Sequence, residues 1–143
     1  MNKEIPHPEW MAGFTSGDGS FYTTIRENKD LKLGFRIEIG FSITQHSRDL
    51  ILLENFISFF NCGRLKKDNR NPVHYFIVSN VQDITEKIIP FFQEYKILGV
   101  KSEDFNDWCK IAELIKNREH LTKEGLDQIQ KIQSSMNSNR FFR

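Results

Sequence analysis

The chain has almost no cysteine: Cys62 and Cys109 are the only two in 143 residues. Two thiols make neither a disulfide scaffold nor a cysteine-rich zinc site, and such usage suits a reducing interior. The four histidines, His7, His46, His74 and His120, stand at no metal-ligand spacing, so they are assigned no chemistry. A large excess of one charge is missing too. The formal net charge is +1, and affinity for a polyanion does not follow from so small a total. No run is long and apolar enough to span a membrane, and no signal peptide is visible. Internal repeats and low-complexity tracts are absent. The length suits a single domain, 1–143, with a real core over about 6–136 and a loose tail at 137–143.

Phenylalanine is abundant, with thirteen residues, and supplies much of the expected core. Charge is unevenly placed. Residues 20–79 hold nine Lys/Arg and six Asp/Glu; residues 80–143 hold ten of each. The basic excess therefore sits in the middle of the chain.

Residues 10–21 organise the rest. Trp10 and Phe14 are four apart and share a helix face. Gly13 and Gly17 share another and leave a strip without side chains, where a second helix can come close. A glycine in a helix interior costs about 1 kcal/mol against alanine, and close approach is one reason to accept that. Gly19 can stop the helix. The last helical carbonyls carry partial negative charge, and Asp18 adds a full one. Such hard oxygens suit Mg²⁺. An ordinary Gly-Asp-Gly turn after a packed helix is the competing reading.

Beyond this helix, residues 20–28 and 33–45 alternate as strands. Phe21, Thr23 and Ile25 lie on one face of the first, and Phe35, Ile37, Ile39, Phe41 and Ile43 on one face of the second. Ser47 is expected to cap a helix over about 48–60, buried through Leu50, Leu53, Ile57 and Phe60. Strands follow at 64–68 and 73–79. Helices are expected at 81–95, bent near Pro90, at 104–116, and from Thr122 to about Ser135. These elements make an α+β chain, with a four-stranded antiparallel sheet covered by helices on one face.

The open face of that sheet is polar and leans basic. The first strand and its turn offer Ser20, Tyr22, Thr24, Arg26, Asn28 and Lys32. The second offers Arg36, Glu38, Gly40, Ser42 and Thr44. The last pair offers Arg64, Lys66, Asp68, Arg70, Tyr75, Ile77 and Ser79. A solvated surface is one reading. The other is a β-ribbon in the DNA major groove, with Arg and Lys on guanine edges or phosphates and Glu38 on cytosine.

Met11 through Gly19 resembles the LAGLIDADG motif that names a family of homing endonucleases. Ala12, Gly13, Asp18 and Gly19 match it letter for letter, and Ser16 replaces its first Asp. The likeness continues through Phe41–His46, Ile88-Ile89-Pro90, Leu98–Lys110, His120-Leu121-Thr122 and Gly125-Leu126. These stretches are similar to the second repeat of two-motif enzymes from fungal mitochondrial introns.

The resemblance implies an αββαββα fold whose sheet forms a saddle on double-stranded DNA. It also implies site-specific, metal-dependent cleavage that leaves a staggered double-strand break. Asp18 would be a catalytic metal ligand with the Gly17 backbone carbonyl beside it. Mg²⁺ is the implied ion, with Mn²⁺ or Ca²⁺ able to substitute in the site. Gln45 matches the residue that positions water, and Lys101 the basic residue near the scissile phosphate. One motif reaches half a target, so the chain is expected to act as a homodimer on a near-palindrome, paired through Gly13 and Gly17, or else to be one half of a longer two-motif enzyme. The alternatives are an RNA-binding intron maturase and a non-cleaving DNA-binding regulator. The implied compartment is the mitochondrion or another organelle.

Overall fold

The computed structural model describes residues 4–137. The expected tail beyond Asn137 and residues 1–3 lie outside them. The elements run α1 (Pro8–Asp18), β1 (Gly19–Glu27), β2 (Phe35–His46), α2 (Leu50–Phe60), β3 (Arg64–Lys67) and β4 (Val73–Val78). Then come α3 (Val81–Asp83), a π turn (Ile84–Ile88), α4 (Ile89–Glu94), α5 (Lys101–Lys116) and α6 (Lys123–Gln133). The four strands form one antiparallel sheet in the order β1-β2-β4-β3; the chain follows the expected αββαββα course, its last helical stretch being α3, the π turn and α4, and then adds α5 and α6.

Pro8 opens α1 where its missing N–H costs nothing. Met11, Ala12 and Thr15 are the face that α1 buries. It ends at Gly19 for lack of space and not for handedness. Gly19 has an ordinary extended φ of −83°, but a Cβ there would lie 2.6 Å from Thr15 Cγ2 and 2.9 Å from the Thr15 carbonyl oxygen. The chain turns directly from helix into strand only because that position has no side chain.

In β1 and β2 the two-residue period holds. Phe21, Ile39, Phe41 and Ile43 are buried, with Thr23 beside them. Phe21 stacks on Phe41 at 5.2 Å and meets Trp108 of α5 at 4.9 Å, so strands and helices share one aromatic core. Gly40 breaks the outward pattern. It pairs with Tyr22 across the sheet, and a Cβ on it would collide with the Tyr22 ring.

Two helix expectations need correction. Ser47 does not cap α2; it opens a 3₁₀ turn over Ser47–Asp49, and its hydroxyl bonds His74 Nδ1 at 2.8 Å. His46 takes the capping role, its Nδ1 accepting from the Arg48 N–H at 3.1 Å. The extra turn rotates α2, so Phe56 joins Leu53 and Phe60 in the core while Leu50 and Ile57 are half-buried. The second correction is α5, which starts at Lys101, three residues earlier than expected.

The bend near Pro90 is a full π turn just before it. Proline has no N–H and its ring crowds the carbonyl four residues back, which a wider turn relieves. Thr122 caps α6 as expected, accepting from the Gly125 N–H at 3.0 Å. The α6 end also covers the free edge of β1. Gln133 Nε2 donates to the Thr23 carbonyl at 2.8 Å and Asn137 Nδ2 to the Phe21 carbonyl at 3.3 Å. Those bonds satisfy carbonyls that would otherwise recruit another strand. Among the described residues no helix is long and apolar enough to cross a membrane.

Candidate active site

Helix α1, strand β2 and helix α5 converge at one point. The register places Gly19 opposite Ile43, so Asp18, one residue earlier, sits beside the end of β2. There Gln45 Nε2 donates to Asp18 Oδ2 at 3.0 Å. From the other side, Lys101 Nζ donates to the carbonyls of Thr15 at 3.2 Å and Gly17 at 3.4 Å. The Thr15 carbonyl also accepts the Gly19 N–H, while the Gly17 carbonyl belongs to the last turn, whose carbonyls lack intrahelical partners, and a cation there is favourable.

The lysine arrives by a short, well-tied loop. Gly99 takes φ +82°, a conformation that favours glycine, and Ser102 Oγ donates to its carbonyl at 2.6 Å. Ser16, which stands where the family motif has its first acid, donates to the Ala12 carbonyl at 2.9 Å and accepts from the Leu98 N–H at 3.4 Å. It fastens the loop before Lys101 to the motif helix. Sequence reading missed this role, because a serine inside a helix signals nothing about a loop 82 residues away.

Burial lowers the Lys101 pKa below its usual 10.5, and the Asp18 and Asp104 carboxylates oppose that shift. The Asp18 carboxylate and the Gly17 carbonyl offer hard oxygens at the helix end, with the Gln45 amide nitrogen on Asp18 Oδ2. Among the described residues no three His, Cys, Asp or Glu gather into a metal cluster. Mg²⁺ is commonly held by one or two carboxylates, with waters and substrate phosphates completing its octahedron. The donor set fits that mode of binding.

Outward on α1 lie Gly13 and Gly17, both exposed, with no atom within 4 Å of where a Cβ would stand. Exposed apolar side chains are found on the same helix, at Trp10, and in the loop that Ser16 tethers to it, at Leu98 and Val100. Leu98 is 75% exposed.

The open sheet face carries most of its expected residues in accessible positions. Ser20, Arg26, Lys32, Thr44, Lys66 and Arg70 are exposed; Tyr22, Thr24, Asn28, Ser42, Tyr75 and Ile77 are half-buried. Arg36 pairs with Glu38 at 3.0 Å, and Arg64 donates to Ser79 Oγ at 3.0 Å. Two residues expected on that face are engaged by neighbours. Gly40 is buried beneath Tyr22 and serves as the floor for that ring. Asp68 is not free: Tyr75 Oη donates to it at 2.7 Å, and the Arg70 and Asn71 backbones at 3.0 and 2.8 Å.

The molecule thus has a sheet with one packed and one polar face, and a carboxylate, an amide and an ammonium that meet at the end of the first helix. Comparison with known proteins makes this specific. The sequence profile described as LAGLIDADG endonuclease matches residues 11–112. The chain belongs to that family.

A curated relative, probable intron-encoded endonuclease 2 of Neurospora crassa, is 42% identical over 127 residues, covering 89% of this chain and 26% of its own length. Among solved structures, the meganuclease I-SmaMI bound to uncleaveable DNA superposes with a TM-score of 0.95 at 49% identity. That match covers 98% of this chain and 47% of I-SmaMI. I-SmaMI has also been seen with cleaved DNA and with calcium ions. I-LtrWI bound to target DNA gives a TM-score of 0.93 at 37% identity, over 97% of this chain and 47% of its own. The chain thus spans about a quarter of that curated relative and about half of each solved one.

Proposed function

We propose that this chain is the cutting unit of a site-specific, divalent-metal-dependent DNA endonuclease that leaves staggered double-strand breaks. The observation that carries the reading is the meeting of Asp18, Gln45 and Lys101 at the C-terminal end of α1. Asp18 and the Gly17 carbonyl would hold Mg²⁺, which would supply charge stabilisation for the phosphate and the leaving 3′ oxygen. Gln45 fixes the Asp18 carboxylate through its N–H and leaves its own amide oxygen to orient the attacking water without titrating. Lys101 brings positive charge to the scissile phosphate.

The polar sheet face lies along the double-stranded target and reads its bases. One chain offers one such carboxylate and half a saddle, so two units work together, most simply two copies of this chain on a near-palindromic target. Gly13 and Gly17 form the crossing point, with Trp10, Leu98 and Val100 closing around it. The fungal intron-encoded relative supports an organellar, mitochondrial setting for the work.

Selection from a randomised duplex library in the presence of Mg²⁺ tests the reading. The expected result is one long, nearly symmetric target, cut on both strands a few base pairs apart. Recovery of no preferred target, or cleavage unchanged by a chelator, would reject it.

A further inference from the structure

We infer that Asp68 is a positioning residue for base reading: it holds the β3–β4 loop and the Tyr75 ring in a DNA-ready arrangement without contacting a base itself. The inference rests on the proposed role of the sheet face and assigns a division of labour within it.

A carboxylate on a face that meets a polyanion is unfavourable unless its charge is answered locally. Asp68 is answered fully. Its Oδ1 accepts from Tyr75 Oη at 2.7 Å. Its Oδ2 accepts from the Arg70 N–H at 3.0 Å, the Asn71 N–H at 2.8 Å and Asn71 Nδ2 at 3.1 Å. These bonds hold its carboxyl down at about 2, so the charge persists at working pH.

Backbone bonds at the loop's ends add to these side-chain bonds. The Asp68 N–H meets the Val73 carbonyl at 3.0 Å, and the Pro72 carbonyl accepts from Ser47 N–H at 2.8 Å. The loop is therefore anchored both to its own hairpin and to the end of β2. Tyr75 is held with its ring against the concavity that Tyr22, Ser42, Lys66 and Ile77 share with the loop. Arg70 is then presented from a rigid turn. A flexible arginine would find phosphate anywhere; a fixed one can discriminate bases.

A positioning residue and a reading residue leave different marks. A reader governs one base pair; a positioner governs every pair its loop and ring approach. The test profiles base preference along the selected target for the full chain and for Asp68→Ala, Tyr75→Phe and the double variant, each checked for folding by thermal melting. Tyr75→Phe keeps the ring and loses only the Asp68 bond, so it covers the case in which Asp68→Ala melts early.

We expect Asp68→Ala to lower preference about tenfold across several adjacent base pairs at the end of the half-site nearer the cut, since the loop is tied to the end of β2 where Gln45 meets Asp18, and Tyr75→Phe to weaken the same pairs. The double variant should be no worse than Asp68→Ala. Loss confined to one base pair, or additive effects of the two changes, would overturn the proposal. Arg26→Ala and Arg36→Ala separate the two levels. If they shift preference while Asp68→Ala and Tyr75→Phe do not, the positioning role fails alone. If none of the four shifts preference, the reading face itself is wrong.

Discussion

Replacing Gly13 by leucine should move stability and activity in opposite directions. In the single chain the substitution is free of clashes, since no atom lies within 4 Å of the Cβ position and Gly13 sits inside α1. Leucine is a far better helix former, so the chain should gain about 0.7–1 kcal/mol. For a domain of this size that raises the melting temperature by roughly 2–5 °C. In a pair of crossed motif helices the same isobutyl group stands where two backbones must touch. Such helices pack at about 8–10 Å with ordinary side chains, and closer only across small residues. The two Asp18 carboxylates would be pushed apart and out of register with the two scissile phosphates. Dilute thermal unfolding reads the first effect. Sedimentation of the DNA complex and a double-strand cleavage assay read the second. A stabilised chain that still pairs and cuts both strands would refute the crossing at Gly13, and a destabilised one would refute the open helix face.

Titration of Lys101, followed through its labelled Cε, should give a pKa below the ordinary 10.5. Asp18→Asn should lower it further, because the carboxylate that favours the charged ammonium is gone; a rise on that substitution would contradict the placement. Phe41, fully buried between Phe21, Phe60, Phe76 and Phe92, should cost about 3–5 kcal/mol when cut to alanine, measured by urea unfolding. The Asp68 carboxyl, lowered from 3.8 to about 2 on folding, contributes stability above the unfolded value. That contribution should fade as pH falls from about 4 through 2, and Asp68→Asn should flatten this part of the acid-unfolding curve.

The strands were legible because one face packs and the other does not, and a two-residue period records that directly. Phe21, Ile39, Phe41 and Ile43 all lie where the alternation puts them. Gly40 shows the limit of the rule. Alternation assigns it outward, yet its burial depends on the Tyr22 ring across the sheet, and no single-strand pattern contains a cross-strand neighbour. Helix boundaries failed for a related reason. Ser47 has the chemistry of a cap, but His74, from a strand 27 residues later, engages its hydroxyl.

The same holds at the candidate site. Asp18 can be singled out locally, from a carboxylate at a glycine-rich helix end. Gln45 and Lys101 cannot; each looks like an ordinary polar residue until the fold brings it to α1. The resemblance to known motifs supplied what local chemistry did not. Asp68 was the reverse case. Its position on the outer strands suggested a contact with DNA, while its own hydrogen bonds give it to the loop.

Cleavage of the selected duplex by the Asp18→Asn variant is the most direct measurement of the central claim. The amide preserves the shape of the side chain and can still bond Gln45, but it lacks the charge that holds a divalent ion. Binding to the target should stay within a few-fold of the parent chain, and Mg²⁺-dependent cleavage should be lost. Cleavage by Asp18→Asn at close to the parent rate would contradict the account.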